Sequence, residues 1–296
     1  MRCSNLLFMF VSAAMALVPG LVNAQNSPGR AADESPAARQ FRAYLEDDWK
    51  RWMVEYPQMA TVVGFPGQNR RWSDDSPQGI AERKQHLHES LAKLKSFART
   101  SLPEREQLNY DLYLELLTTA DEGLQYGDDP LPFRNVVPGN IWMPMTQMDG
   151  VQQGAAATIV DMPNRTAADY EDILARLSAL PALVQQQQAL LQEGLKRGYS
   201  PPKLMLRDLP KQIADLTPSD PLHSPLLQLF TEFPIAIPEA ERTRLINRAK
   251  EIYAASVAPA FRNLHDYVAN TYIPACRETI SASALLLAAA GGAGSS

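Results

Sequence analysis

Only two cysteines, Cys3 and Cys276, occur in the 296 residues, which excludes a disulfide framework. Histidine is nearly as scarce, with His86, His88, His223 and His265 the full set. Basic residues number 28 against 33 acidic ones. That balance gives no electrostatic footprint for nucleic acid or for an anionic membrane. Period-two alternation with hairpin turns is missing, so strands have no signal. Past the first two dozen residues, no segment is apolar enough to span a membrane. Nucleophile and phosphate motifs are absent too. There is no Gly-x-Ser-x-Gly, no Gly-x-x-x-x-Gly-Lys and no Gly-x-Gly-x-x-Gly.

The first 24 residues have the makeup of a signal peptide. Arg2 supplies the positive end, Leu6 to Val18 the apolar run, and Val22-Asn23-Ala24 the small residues before a cleavage site. The apolar run is short of the roughly 20 residues a span requires. Cys3 precedes that run, so it is not a lipid-attachment cysteine. Export to the periplasm or the exterior is expected. Losing Arg2 leaves 27 basic residues against 33 acidic, a net charge of −6. Residues 25–34 read as a flexible leader.

Helical signals then follow one another. Phe41, Tyr44, Leu45, Trp49, Trp52 and Met53 recur at spacings of three and four, and Pro57 ends that helix. Ser76-Pro77 is an N-cap with proline at N1. Ile80, Leu87, Leu91, Leu94 and Ala98 form the stripe behind it, and Leu108, Leu112, Leu116, Ala120 and Leu124 mark a third helix. Thr166 and Asp169 form a capping box for a helix that Pro181 is expected to kink or break, with a stop at Gly198. A last long helix opens at Pro238 and runs towards Tyr272, weakened at Pro259. The fold class is all-α, a multi-helix array over residues 35–284 with long loops at 125–165 and 199–240. Residues 285–296, Leu/Ala-rich and then Gly-rich, read as a low-complexity, disordered tail.

A helical zinc site needs His-Glu-x-x-His, which sets both rings on one face. No pair here has that spacing. His86 and His88 stand about 200° apart on a helix, which makes them rim residues beside the Leu87/Leu91 stripe. His223 lies in a loop. His265 precedes Asp266, and adjacent helical residues do not face each other. Arg277 could lower the thiol pKa of Cys276, but no base accompanies it. Asp111 and Glu115 share a helix face of the kind that is usually solvated. No catalytic or metal-binding residue is assigned.

One loop is specific. Pro138 to Gly150 combines Trp142 and Met143, Met145 and Met148 with the polar Gln147 and Asp149. It can be the wall of a binding groove or a buried loop beneath long helices. A copper site on the thioethers would lack the histidine or cysteine such sites use.

The chain resembles the bacterial family catalogued as domain of unknown function 885. The resemblance rests on Pro144-Met145-Thr146-Gln147-Met148-Asp149-Gly150, on Glu193-Gly194-Leu195-Lys196-Arg197-Gly198-Tyr199-Ser200-Pro201-Pro202, on Pro259-Ala260-Phe261-Arg262-Asn263-Leu264, and on Tyr272-Ile273-Pro274-Ala275-Cys276-Arg277-Glu278. It covers about residues 38 to 284. It implies an exported, largely helical zinc metallopeptidase of the gluzincin type, acting on peptide and about twice this length. Its zinc helix, near His-Glu-x-x-x-Gly-His-His, would lie in a second half. The chain thus reads as an amino-terminal portion, from a truncated or frame-shifted gene, with no zinc of its own and inactive alone. Trp142, Gln147, Asp149 and Tyr199 are the candidate substrate-binding residues. The alternative is a self-standing helical binding module of the cell envelope. Helices deprived of partners would expose apolar stripes, with Leu108/Leu112 and Leu245/Ile252 the candidates.

Cleavage after Ala24 is expected. Mass spectrometry of the exported chain should find Gln25, cyclised or not, at its amino terminus, and an intact Met1 there would exclude this route.

Overall fold

A computed structural model describes residues 35–133 and 139–281. The expected signal peptide, the leader and the tail from Leu285 lie outside the described residues. Among the described residues there are helices and turns and no strand, so the all-α reading holds. Two isolated bridges, Asp128 to Asn140 and Pro202 to Arg277, are the sole β-type pairings among them.

The amino-terminal helices are α1 (Pro36–Glu55), α2 (Pro57–Val62), α3 (Pro77–Lys95) and α4 (Glu104–Gly123). The Ser76 cap lies where the sequence places it, and Ser35 caps α1 in the same way. Ser35 Oγ accepts from Ala38 N at 3.2 Å, and Ser76 Oγ accepts from Gly79 N at 3.1 Å. Each is followed by proline at N1, where a missing N–H costs nothing. Pro57 both ends α1 and opens α2.

The carboxy-terminal part holds α5 (Val151–Val160), α6 (Ala167–Lys196) and α7 (Leu209–Ala214). After these come α8 (Glu239–Ile252), α9 (Ala258–Tyr267) and α10 (Ile273–Ala275). The capping box of α6 is complete: Thr166 Oγ1 accepts from Asp169 N, and Asp169 Oδ2 accepts from Thr166 N at 2.8 Å.

Several expectations are corrected. Pro181 does not break α6, which runs for 30 residues through it. Leu177, Leu180, Leu183 and Val184 are all buried around that point, and their packing outweighs one lost backbone bond. The last helix runs through Pro259 towards Tyr272, as its pattern predicts. A π-turn at Tyr253–Val257 stops two residues before Pro259, and a second at Val268–Tyr272 stops two residues before Pro274. The wider turn makes room for a ring that would otherwise strike the preceding carbonyl. The two supposed long loops contain α5, α7 and short 3₁₀ turns at Lys203–Leu206, Pro221–His223 and Pro225–Phe230.

The core falls into two main clusters. The first joins Phe41, Trp52 and Met53 of α1 with Leu87, Leu91 and Leu94 of α3 and Tyr110, Tyr113 and Leu117 of α4. The second, larger and more aliphatic, gathers α5 to α9 around α6. On α4 the buried side is Tyr110, Tyr113 and Leu117, so Leu108, Leu112 and Leu116 face outward. Leu245 and Ile252 of α8 are buried, against the expectation of an exposed stripe there.

One side chain on α6 makes the densest set of hydrogen bonds between the amino-terminal part and the rest. Arg176 is fully buried. Its Nε donates to Arg71 O at 2.9 Å and its Nη1 to Thr61 Oγ1 at 2.7 Å. Its Nη2 donates to Pro57 O at 3.1 Å and to Gln68 O at 2.9 Å. The guanidinium lies 5.2 Å from the Trp72 ring, and Trp72 Nε1 donates back to Arg176 O at 2.8 Å. Burial against neutral acceptors pulls its pKa down to about 10. Arg176→Ala would leave three carbonyls and a cavity, a loss of at least about 3 kcal/mol. Arg176→Lys keeps a charge but not the fork, and should recover less than half of that. Urea midpoints measure both, and equal midpoints for wild type and Arg176→Ala would refute the role.

Candidate functional site

The four candidate residues fall into two pairs. Trp142 and Tyr199 flank Gly194 of α6. A Cβ at Gly194 would overlap the Trp142 carbonyl oxygen, and Tyr199 N donates to Gly194 O at 2.8 Å. Glycine is needed there for the loop to approach. Trp142 is half-buried, with Arg197 stacked 4.3 Å from its ring. Gln147 and Asp149 belong to a tight turn instead. Thr146 N donates to Asp149 O at 2.8 Å, and Gly150 closes the turn at φ 128°. Asp149 Oδ1 accepts from Gly150 N, while the Gln147 carbonyl accepts from Gln153 and Gln212. Gln147 Oε1 is buried without a hydrogen bond among the described residues. Met145 is in the core and Met148 is exposed, so the thioethers do not share one point.

The histidines give the main correction. His86 is not a rim residue; it is buried, stacked on Trp52 at 3.9 Å. Its Nε2 lies 2.9 Å from Asp48 Oδ1 and its Nδ1 2.8 Å from Glu55 Oε2. Asp48 also accepts from Ser90 and Tyr113, and from Trp52 Nε1 at 3.3 Å. Tyr44 closes the cluster by donating to Ser90 O at 2.8 Å. A signal for the cluster does exist in the sequence. Asp48, Trp52 and Glu55 follow one face of a helix, and His86 and Ser90 follow one face of another.

His265 is corrected as well, since its Nδ1 meets Asp266 at 3.1 Å on a partly exposed surface. His88 pairs with Asp121 at 2.9 Å, and His223 is a solvated loop residue. Cys276 is buried and its thiol is pushed up to about 11 by that burial. Arg277 is committed to the Ser200, Thr279 and Ser281 carbonyls.

A second polar cluster holds the segment before α3. Arg83 donates to Asp74 O at 2.5 Å and to Asp75 at 3.3 Å. Its guanidinium lies 5.1 Å from the Tyr56 ring, and Tyr56 donates to Asp129 at 2.6 Å.

Among the described residues, two depressions bear on the site. One, of about 330 Å³, is lined by Leu45, Trp49, Asn109, Leu112, Tyr113, Leu116 and Phe133. The other, of about 250 Å³, lies between α6 and α9 beside Gln188 and Asn263. Neither is lined by Trp142, Gln147, Asp149 or Tyr199. Tyr113 connects the first depression to the Asp48–His86 cluster.

Hydrogen bonding on both ring nitrogens suits an imidazolium. Burial opposes the charge, but the bonds to Asp48 and Glu55 outweigh it and raise the His86 pKa. Burial likewise opposes the Asp48 carboxylate, yet bonds from His86, Ser90 and Tyr113 hold its pKa down. The stability from Asp48 is therefore present above about pH 4 and is lost as pH falls through its lowered value. The stability from His86 is full below about pH 6.5 and is lost as pH rises through its raised value. The wild-type urea midpoint should fall with rising pH on the alkaline side. His86→Gln should start lower and stay flat there. Identical slopes in the two proteins would show that His86 carries no proton-linked stability.

The chain matches the family model described as a bacterial protein of unknown function, DUF885, over residues 57–293. No curated protein matches it. Among solved structures, it is similar to a protein from Colwellia psychrerythraea assigned as a lipoprotein, with a TM-score of 0.64 and 13% identity. That match covers 81% of this chain and 42% of the other, so the chain spans less than half of that protein's length. At this identity the likeness establishes the fold. The family match extends over most of α2 to α10 and past Ala284, and the chain belongs to the DUF885 family of bacterial proteins.

Proposed function

We propose that this chain forms the amino-terminal helical part of an exported, zinc-metallopeptidase-like protein and is not a peptidase by itself. The observation that carries the reading is the unequal overlap, 81% of this chain against 42% of the Colwellia protein. Export is supported by the signal-type amino terminus and by that protein's assignment as a lipoprotein. No helix among the described residues is long and apolar enough to cross a membrane.

The donors among the described residues do not fit a zinc ion. The imidazole of His86 is spent on two carboxylates at opposite ring nitrogens. His88, His223 and His265 each pair with a separate aspartate. No cluster of three or more His, Cys, Asp or Glu among the described residues could hold a metal. In this reading zinc belongs to the remainder of the protein, and no reaction step is assigned to this chain. Trp142, Gln147, Asp149 and Tyr199 would contribute a wall to a peptide-binding cleft completed by that remainder. The reading of a self-standing envelope binding module is favoured by one feature, the outward leucines of α4.

Two measurements test the proposal. The dialysed chain should hold no stoichiometric zinc and cleave no member of a peptide library. The nucleotide sequence beyond the codon for Ser296 should encode a His-Glu-x-x-x-Gly-His-His pattern in one of its frames. A tightly held zinc in this chain, or the lack of that pattern, overturns the reading.

A further inference from the structure

Helix α4 has apolar residues on two faces, roughly 130° apart. Tyr110, Tyr113 and Leu117 enter the core. Leu108, Leu112 and Leu116 stand 59%, 57% and 38% exposed, spaced four residues apart as a single ridge. Leu112 and Leu116 also line the depression formed with Leu45, Trp49, Asn109, Tyr113 and Phe133. Ridge and depression are thus one continuous apolar surface.

The charge beside it is mostly acidic, with the exposed Arg105 on the ridge side as the exception. Helix α4 carries Glu104, Glu106, Asp111, Glu115, Asp121 and Glu122 against Arg105 alone. Arg42 pairs with Glu106, Arg99 with Asp111 and His88 with Asp121. Glu104, Glu115 and Glu122 are exposed and have no ion pair among the described residues. At 100° per residue they fall about 60–80° from the middle of the leucine ridge, on the side away from the depression. The surface therefore offers an apolar trough with a row of free carboxylates along one bank.

We propose that this surface receives a basic amphipathic helix of a partner protein. The partner's apolar residues would enter the depression between Trp49 and Leu116, with their four-residue ridge set into that of α4. Its lysines or arginines would lie over Glu104, Glu115 and Glu122. A second copy of this chain fits poorly. Two α4 helices packed antiparallel about a two-fold axis would set one acidic row on the other. Packed parallel, they would set each acidic row against an apolar depression. A cationic partner meets neither cost, and the net charge of −5 steers it toward the chain. The proposal does not rest on the peptidase kinship.

The test uses the purified chain and two fluorescein-labelled amphipathic helical peptides, one of leucine and lysine and the other with glutamate at every lysine position. Fluorescence anisotropy should show the lysine peptide bound and the glutamate peptide not. Two variants at solvent-facing positions leave the core intact. L112D/L116D should weaken lysine-peptide binding at least about tenfold. E104K/E115K/E122K should reverse the preference, so that the glutamate peptide binds more tightly. Circular dichroism checks that both variants fold. Absent or equal binding of the two peptides, or binding unchanged in both variants, overturns the proposal. So does a wild-type dimer in sedimentation that L112D/L116D dissociates, because the ridge would then belong to a second copy.

Discussion

The fold depends on one buried cation. Residues 63–76 form an irregular segment between α2 and α3, and its carbonyls need donors that no helix ladder supplies. Arg176 provides them from α6 to Gln68 and Arg71, and it also reaches the Pro57 carbonyl at the start of α2. Further along the same helix, Gln186 accepts from Asp75 N at 3.0 Å and donates to Asp74 at 2.7 Å, and Gln187 donates to Asp75 at 3.0 Å. From the other side Arg83 of α3 holds Asp74 and Asp75. The two apolar clusters therefore meet across a seam of polar contacts. A guanidinium suits this position because its donors lie in a fixed plane and can reach several acceptors at once. The lowered pKa of Arg176 is the mark of what that burial costs.

The Asp48–His86–Glu55 cluster has a similar role within the amino-terminal part. Asp48 on α1 takes bonds from His86 and Ser90 on α3 and from Tyr113 on α4. An apolar interface of leucines tolerates a slide by one turn at modest cost. This interface does not, because the same slide would strand a carboxylate and an imidazolium in the core. The cluster thus specifies register among three helices whose apolar stripes alone would permit several.

Much of the fold is legible in the sequence because its signals are local. Ser76-Pro77, the Thr166–Asp169 box and the stop at Gly198 act through backbone atoms within a few residues, and each stands where the sequence puts it. Features set by distant packing are not legible. Pro181 reads as a kink or break and Pro259 as a weak point because proline weakens an isolated helix, whereas buried leucines and a π-turn carry these helices onward. α5 is hidden because Val151 to Val160 is too short and too rich in alanine for a period to show. The candidate site is less legible still. Trp142 and Tyr199 meet at Gly194 while Gln147 and Asp149 are occupied in a separate turn. His86 escapes any pattern that pairs metal ligands on one helix. Its partners are carboxylates on another helix, at positions whose neighbours Phe41, Trp52 and Met53 mark the core face.

The α4 stripe shows why periodicity alone misassigns an edge helix. Leu108, Leu112 and Leu116 satisfy the helical period as well as Tyr110, Tyr113 and Leu117 do. The tyrosines go inside because each buries more area and finds a partner: Tyr113 donates to Asp48 and stacks on Phe133, and Tyr110 packs on Phe41. Once that face is chosen, the leucine face is left outward, with only Leu45, Trp49 and Phe133 beside Leu112 and Leu116 among the described residues. A helix apolar on two sides belongs between two layers. Among the described residues, α4 has one layer behind it and an acidic bank in front. The boundary of this helical unit therefore runs along α4, while α6, with buried residues along nearly its whole length, lies at its centre.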